Sequence, residues 1–302
     1  MRILIPVDGS RFTKSAINFI ASRATLIGQQ PHVDLLNVQY PVSVRVGRAA
    51  GKELVESYQE SEAKKVLKPC LATLQRAGLT AGAKYVVSSP GSAISKMATD
   101  GAAELIVMGS HGHTGLKSAL FGSVTHTVLA SCNTPLLVLR DELAPKQDSL
   151  RIGIALDGSK YGTAAARFVV KHRALFGRTP SVTLMHVVPD LLNLVLPGFF
   201  VGKRPAPGLV PEQIEAMQLA AFEQAMAAPT KRLDAAGLQV KQVRLIGNNP
   251  GDQIAAYVNK NKLDILVMGS HGYSALRSIT LGSVSTRVAA RCRHPLLLIR
   301  QA

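Results

Sequence analysis

The chain has 302 residues, 47% of them hydrophobic and 18% charged, a balance that supports a buried core and excludes disorder. The longest apolar run, 191–201, is broken by Pro197 and Gly198 and falls short of the roughly 20 residues that cross a bilayer. The first residues read as a strand rather than a secretory leader, so a cytoplasmic protein is expected, with no membrane partner. The formal net charge of +16 divides unequally: residues 1–149 hold 16 basic and 11 acidic residues, against 19 and 8 in 150–302. No block of five basic residues occurs, so solvated surface is the first reading, with attraction of nucleic acid, anionic lipid or a polyanionic ligand behind it. Cys70, Cys132 and Cys292 form no paired motif and read as reduced, buried thiols.

In chain order, ILIPV (3–7) reads as a buried strand. Ser10 is placed to cap a helix whose apolar face is Ile17, Ile20, Ala24 and Ile27, with Gly28 as its stop. VDLLNV (33–38) reads as the next strand, and 53–77 as a long helix closed by Gly78, with a kink or break expected at Pro69. KYVV, ELIVMG and PLLVL supply three further strands, and SVTHTVLAS (123–131) a helix between the last two.

The same order then repeats. ILIPVDGS (3–10) matches IGIALDGS (152–159), and LLNVQYP (35–41) matches LMHVVPD (184–190), both at an offset of 149. From MGSHG onward the offset is 160, and TPLLVLR (134–140) matches HPLLLIR (294–300), so about eleven extra residues lie within 188–211, a stretch rich in Pro and Gly. Ser159, Gly177, Pro229 and Gly237 repeat Ser10, Gly28, Pro69 and Gly78. The chain is therefore read as two tandem copies, 1–146 and 149–302. Each is an α/β domain with an open, mainly parallel five-stranded sheet and helices on both faces, Rossmann-like in plan.

Ligands of such sheets sit beyond the carboxyl ends of the strands. Three repeated features converge there. Asp8 or Asp157 ends the first strand, and Asn37-Val38 or His186-Val187 ends the second. After the fourth strand comes a glycine loop: Gly109-Ser110-His111-Gly112, nine residues, then Gly122-Ser123-Val124. The second copy has Gly269-Ser270-His271-Gly272, nine residues, then Gly282-Ser283-Val284. Glycines let amides approach an anion, and the following helix directs its free N–H groups at the same place. The arrangement is a phosphate cradle that needs no catalytic base.

Other motifs fail. GRAAGKE (47–53) has the wrong spacing for a P-loop, and the turn after the first strand is DGS rather than a dinucleotide fingerprint. Asp8 and Asp157 could serve as turn or cap residues only. His111 and His271 have no second acid or nucleophile placed by the sequence, so no catalytic residue and no protein-held metal are expected. His126, Cys132 and Cys292 read as packed helix residues.

The spacing G-x2-G-x9-G-S after an apolar strand, in a chain whose first strand ends PVDGS, resembles the ATP-binding class of universal stress proteins, twice over. That resemblance implies an adenine nucleotide alpha hydrolase-like fold and ATP as ligand, with Mg²⁺ or Mn²⁺ bridging its phosphates. It implies that Pro6, Asp8 and Val38 hold adenosine, while Gly109, Gly112, Gly122 and Ser123 hold ribose and phosphates. In the second copy the corresponding residues are Ala155, Asp157, Val187, Gly269, Gly272, Gly282 and Ser283. That copy departs by Ala155 for Pro6, Tyr273 for His113 and Ala275 for Gly115. The family also pairs its last strands across a two-fold axis, which the tandem could do within one chain; a homodimer of tandem chains is the other arrangement. The function so implied is regulatory ATP binding in a stress response through protein partners the sequence does not name, with slow or no hydrolysis. The alternatives are a slow ATPase or phosphotransferase and a scaffold without nucleotide. Nucleic acid is not expected, because no reading module is present.

Overall fold

The computed structural model describes residues 1–27, 31–110, 121–140, 145, 147–191, 200–201, 204–205, 211–270 and 281–301. The first half runs β1 (Arg2–Pro6), α1 (Arg11–Ala21), β2 (His32–Gln39), α2 (Val44–Ala50), α3 (Lys52–Arg76), β3 (Thr80–Val87), α4 (Pro90–Asp100), β4 (Leu105–Gly109), α5 (Ser123–Ser131) and β5 (Leu136–Leu139). The second half runs β6 (Arg151–Leu156), α6 (Lys160–Lys171), β7 (Ser181–Val188), β8 (Phe200–Val201), β9 (Arg204–Pro205), α7 (Pro211–Ala235), β10 (Gln239–Ile246), α8 (Pro250–Asn261), β11 (Ile265–Gly269), α9 (Ser283–Arg291) and β12 (Leu296–Ile299). The short antiparallel ribbon β8–β9 falls inside the extra segment of the second copy.

Local chemistry explains the boundaries. Ser10 caps α1 by accepting from the Thr13 amide, and Ser159 caps α6 through the Tyr161 amide. Gly28 lies outside the described residues. Its counterpart Gly177 follows a 3-10 turn at φ 116°, and Gly78 and Gly237 follow α3 and α7 at φ 83° and 68°, the left-handed conformation that glycine adopts at little cost. Neither proline breaks its helix: α3 runs through Pro69 and α7 through Pro229, each for 25 residues. Leu67, Cys70 and Leu74 bury around Pro69, and packing of that stripe outweighs one missing backbone hydrogen bond at the exposed proline. The GRAAGKE segment is part of α2 and its junction with α3, not a phosphate loop. Nothing in the local pattern of 44–50 marks α2.

All the strands but β8 and β9 join one ten-stranded sheet in the order β10-β7-β6-β11-β12-β5-β4-β1-β2-β3. Within this sheet every pairing inside a half is parallel; the junction β5–β12 is antiparallel, with Leu137 opposite Leu297. The two copies thus meet through their last strands, about a local two-fold axis, inside one chain. The central strands are apolar on both faces, as parallel strands covered by helices must be. Ile3 and Ile5 point into a core shared with α1, α3, α6 and α7, while Leu4 points into a second core under α4, α5, α8 and α9. The connection between the halves is held by Arg23, whose fully buried guanidinium donates to the carbonyls of Gln147 and Asp148.

Candidate functional site

The first half holds a cavity of about 350 Å³ beyond the carboxyl ends of β1, β2 and β4. It brings together Pro6, Asp8, Val38, Gly109, Gly122, Ser123 and Val124 from the sequence-derived set. One side is apolar, formed by Phe12, Val38, Ile94 and Met108, with the exposed Tyr40 at the rim. Gln59 fixes that rim by donating to the Tyr40 carbonyl at 3.2 Å. Gly122, the N-cap residue of α5, makes no side-chain cap, and with Ser123, the first residue of the helix, it stands at the positive end of the helix dipole.

Asp8 is held in place from within. Its Oδ1 accepts from the Ser10 amide at 2.9 Å and from the Thr13 hydroxyl at 2.7 Å, and its own amide donates to Thr13 Oγ1 at 3.0 Å. Asn37 is buried and donates to the Val7 carbonyl at 2.8 Å, bracing the first two strand ends. Ser110 is also buried and does not line the cavity. Its amide donates to Leu139 and its carbonyl accepts from Gly122, so it ties the two feet of the glycine loop together. His111 and Gly112 lie outside the described residues.

The second half repeats the frame with different filling. Asp157 is exposed and its Oδ1 accepts from the Ser159 amide at 2.9 Å, but Gly162 stands where Thr13 does. His186 replaces Asn37, and its Nδ1 lies 2.8 Å from the Leu156 carbonyl. Ala155 is buried, Val187, Gly269, Gly282 and Val284 are half-buried, and Ser283 is exposed at the start of α9. Ser270 is fully buried, with its carbonyl accepting from the Gly282 amide. His271, Gly272, Tyr273 and Ala275 lie outside the described residues.

Among the described residues no group of three His, Cys, Asp or Glu side chains is arranged to hold a metal. All three cysteines are free and buried, Cys132 and Cys292 at the caps ending α5 and α9. Burial first, and then the Asp8 carboxylate, push the Cys70 thiol up, leaving it little thiolate character. His126 departs from expectation: it is exposed on α5, with its ring 6.2 Å from that of Phe121. Thr13, Tyr40, Ile94 and Met108 were not singled out in the sequence. Thr13 had a signal, a hydroxyl three residues after the Ser10 cap; the others read as ordinary apolar positions.

The model of the universal stress protein family matches twice, over residues 1–140 and 149–300. A universal stress protein of Mycolicibacterium smegmatis is 25% identical over 99% of this chain and 96% of its own length. One from Methanocaldococcus jannaschii is 31% identical over 46% of this chain and 94% of its own length. The crystal structure of a universal stress protein from Archaeoglobus fulgidus covers 100% of this chain and 96% of its own, with a TM-score of 0.68 at 20% identity; that likeness concerns the fold. No described helix is long and apolar enough to cross a membrane. With two family matches, one per half of a shared sheet, the chain belongs to the universal stress protein family and carries its domain in tandem.

Proposed function

We propose that the first-half cavity binds an adenine nucleotide, ATP by preference, and that the protein acts in the cytoplasm as a stress-response regulator through that ligand. The observation that carries this is one cavity uniting an apolar slot, the Asp8 carboxylate and the N-terminus of α5. Those are the three surfaces that a planar base, a hydroxylated sugar and a phosphate chain need. Pro6, Asp8 and Val38 would hold adenosine; Gly109, Gly122 and Ser123 would hold ribose and phosphates. When bound with the nucleotide, a divalent cation would offset part of the phosphate charge.

The same role is extended to the second half through Ala155, Asp157, Val187, Gly269, Gly282 and Ser283. There Gly162 and His186 replace Thr13 and Asn37.

Slow or absent hydrolysis is part of this reading; among the described residues the lining offers no histidine and no second carboxylate beside Asp8. Binding that does not favour the transition state does not accelerate the reaction. Titration of nucleotide-stripped protein with Mg·ATP should show saturable binding, and Gly122→Val should abolish it at the first site by filling the backbone's approach to phosphate. Unchanged affinity in that variant would overturn the site. The competing reading, a slow ATPase, predicts Mg²⁺-dependent ADP release clearly above that of a Ser123→Ala, Asp8→Ala control.

A further inference from the structure

Beneath the C-terminal half of α4 the first half holds a second cavity, of about 430 Å³, that the nucleotide reading leaves unused. Its floor is formed by Leu4 and Leu36, both buried, and its walls by the half-buried Val86, Met97 and Ala103. Leu36 also lines the first cavity, which lies under the N-terminal half of α4 beside Pro90 and Ile94. The two cavities therefore follow one another along a single helix.

The second half closes the same space. Gly153 stands there at the place of Leu4, Met185 at that of Leu36, Tyr257 at that of Met97 and Leu263 at that of Ala103. A Cβ on Gly153 would come 2.8 Å from Met185 Cε and 2.9 Å from Leu263 Cδ1, and both of those side chains are buried. Close packing of this kind is the ordinary state of a protein interior. One fold thus exists in a filled and an open version within the same chain, so the opening in the first half is a matter of side chains and not a demand of the fold.

The charges at the mouth select what enters. Arg2, Lys84 and Lys96 meet Asp34 and Asp100 there. Both acids are already engaged: Asp34 accepts from Arg2 Nε at 3.1 Å and lies 3.0 Å from His32 Nε2, while Asp100 accepts from Lys96 at 2.7 Å. Lys84, on the edge strand β3 beside Leu36, is exposed and makes no ion pair among the described residues. In the second half its place belongs to Val243, which packs against the apolar core. The spare cation is present only in the copy whose cavity is open.

We propose that this second cavity is a ligand site in its own right for a small amphipathic carboxylate, its apolar chain or ring lying on Leu4, Leu36 and Met97 and its carboxylate on the Lys84 ammonium. The inference goes beyond the nucleotide reading and does not depend on it. The volume falls within the roughly 300–1,000 Å³ of small-molecule pockets, and a mainly apolar lining with few placed polar groups is their usual composition. A lysine lays its stem on apolar surface while its head stays in water, so Lys84 holds the carboxylate at the mouth without burying the pair.

The test titrates the full chain with octanoate and with octanol as the uncharged analogue. Octanoate should bind saturably at one site per chain and more tightly than the alcohol. Lys84→Gln should weaken octanoate about two- to fivefold, the size expected of an exposed ion pair, and leave octanol unchanged. Ala103→Leu and, separately, Met97→Tyr install the side chains of the second half and should abolish binding of both ligands. Met97 is half-buried on α4, so Met97→Tyr should keep the wild-type unfolding midpoint even where Ala103→Leu lowers it. Absence of saturable octanoate binding by the wild-type chain, or wild-type affinity in a folded Met97→Tyr variant, would overturn the site. Octanoate affinity unchanged by Lys84→Gln would overturn the carboxylate as its ligand.

Discussion

Arg300 and Cys132 lie 168 residues apart, yet the Arg300 Nε donates to the Cys132 carbonyl at 3.1 Å across the boundary between the two halves. The same buried guanidinium reaches Ser270 Oγ, behind the second glycine loop, at 3.4 Å. Arg140, its counterpart, makes the reciprocal crossing to Ala289. Burial pulls the Arg300 pKa below its ordinary value, but an arginine still carries its charge at neutral pH. Each half thus ends in a cation that caps a helix of the other.

Replacing Arg300 with Met keeps the length and removes both hydrogen bonds, leaving a buried carbonyl without its donor. A loss of about 2–4 kcal/mol is expected in urea unfolding. An unchanged midpoint would show that water replaces the guanidinium at no cost.

Gly78 and Gly177 both have positive φ, but their surroundings differ. A Cβ at Gly78 meets nothing within 4 Å, whereas one at Gly177 would come 2.0 Å from the Asp148 carbonyl oxygen. Gly78→Ala should cost about 1–2 kcal/mol, the price of the left-handed backbone alone. Gly177→Ala must also push the connection between the halves away, and should cost about 3–5 kcal/mol. Equal losses in thermal unfolding would contradict the placement of that connection.

Glu104, in the first half, receives Lys171 at 2.8 Å and lies 4.0 Å from His172, both in the second half. Burial opposes the Glu104 carboxylate. Hydrogen bonds from Lys171 and the Arg2 amide, with the charges of Lys171 and His172, outweigh it and hold Glu104 below its ordinary value of 4.5. Burial lowers His172 below its ordinary 6.5, against the pull of Glu104. In both cases the unfolded chain takes up the proton first, so stability is present above the ordinary value and is lost as pH falls below it. His172→Gln should flatten the loss of stability just below pH 6.5, and Glu104→Gln the loss below pH 4.5. Unfolding midpoints measured from pH 7.5 to 3.5 check both.

Thr13→Val keeps the shape at the Asp8 turn and removes the hydroxyl that fixes the carboxylate. ATP affinity at the first site should fall about three- to tenfold, because Asp8 must then be ordered on binding. Thr13→Ser should restore it. Equal affinity in all three proteins would mean that Asp8 is oriented without the Thr13 hydroxyl.

Much of this architecture can be read from the residues. The repeat, the strand runs and the Ser10 and Ser159 caps are written in local pattern, and so are Asp8 and Gly122 at the cavity. What the pattern misses depends on partners distant in the chain. The crossing of Arg140 and Arg300 follows from the β5–β12 junction, and nothing in LLVLR or LLLIR marks the arginine as buried. Pro69 reads as a breaker because propensity is local, whereas the stripe of Leu67, Cys70 and Leu74 that keeps α3 whole is a matter of packing. Ile94 and Met108 serve the core and the cavity at once, and period alone assigns them to the core.

In an assembly of two identical chains every substitution is made twice, at both sites and on both sides of the junction. Here the Leu137–Leu297 pairing joins two halves encoded separately. A change such as Thr13 to Gly162, or Ser131 to Arg291, is made once and leaves the other half as it was. Covalent tandem linkage therefore frees each half to change its strand-end residues independently while the shared sheet holds the two in a fixed one-to-one ratio.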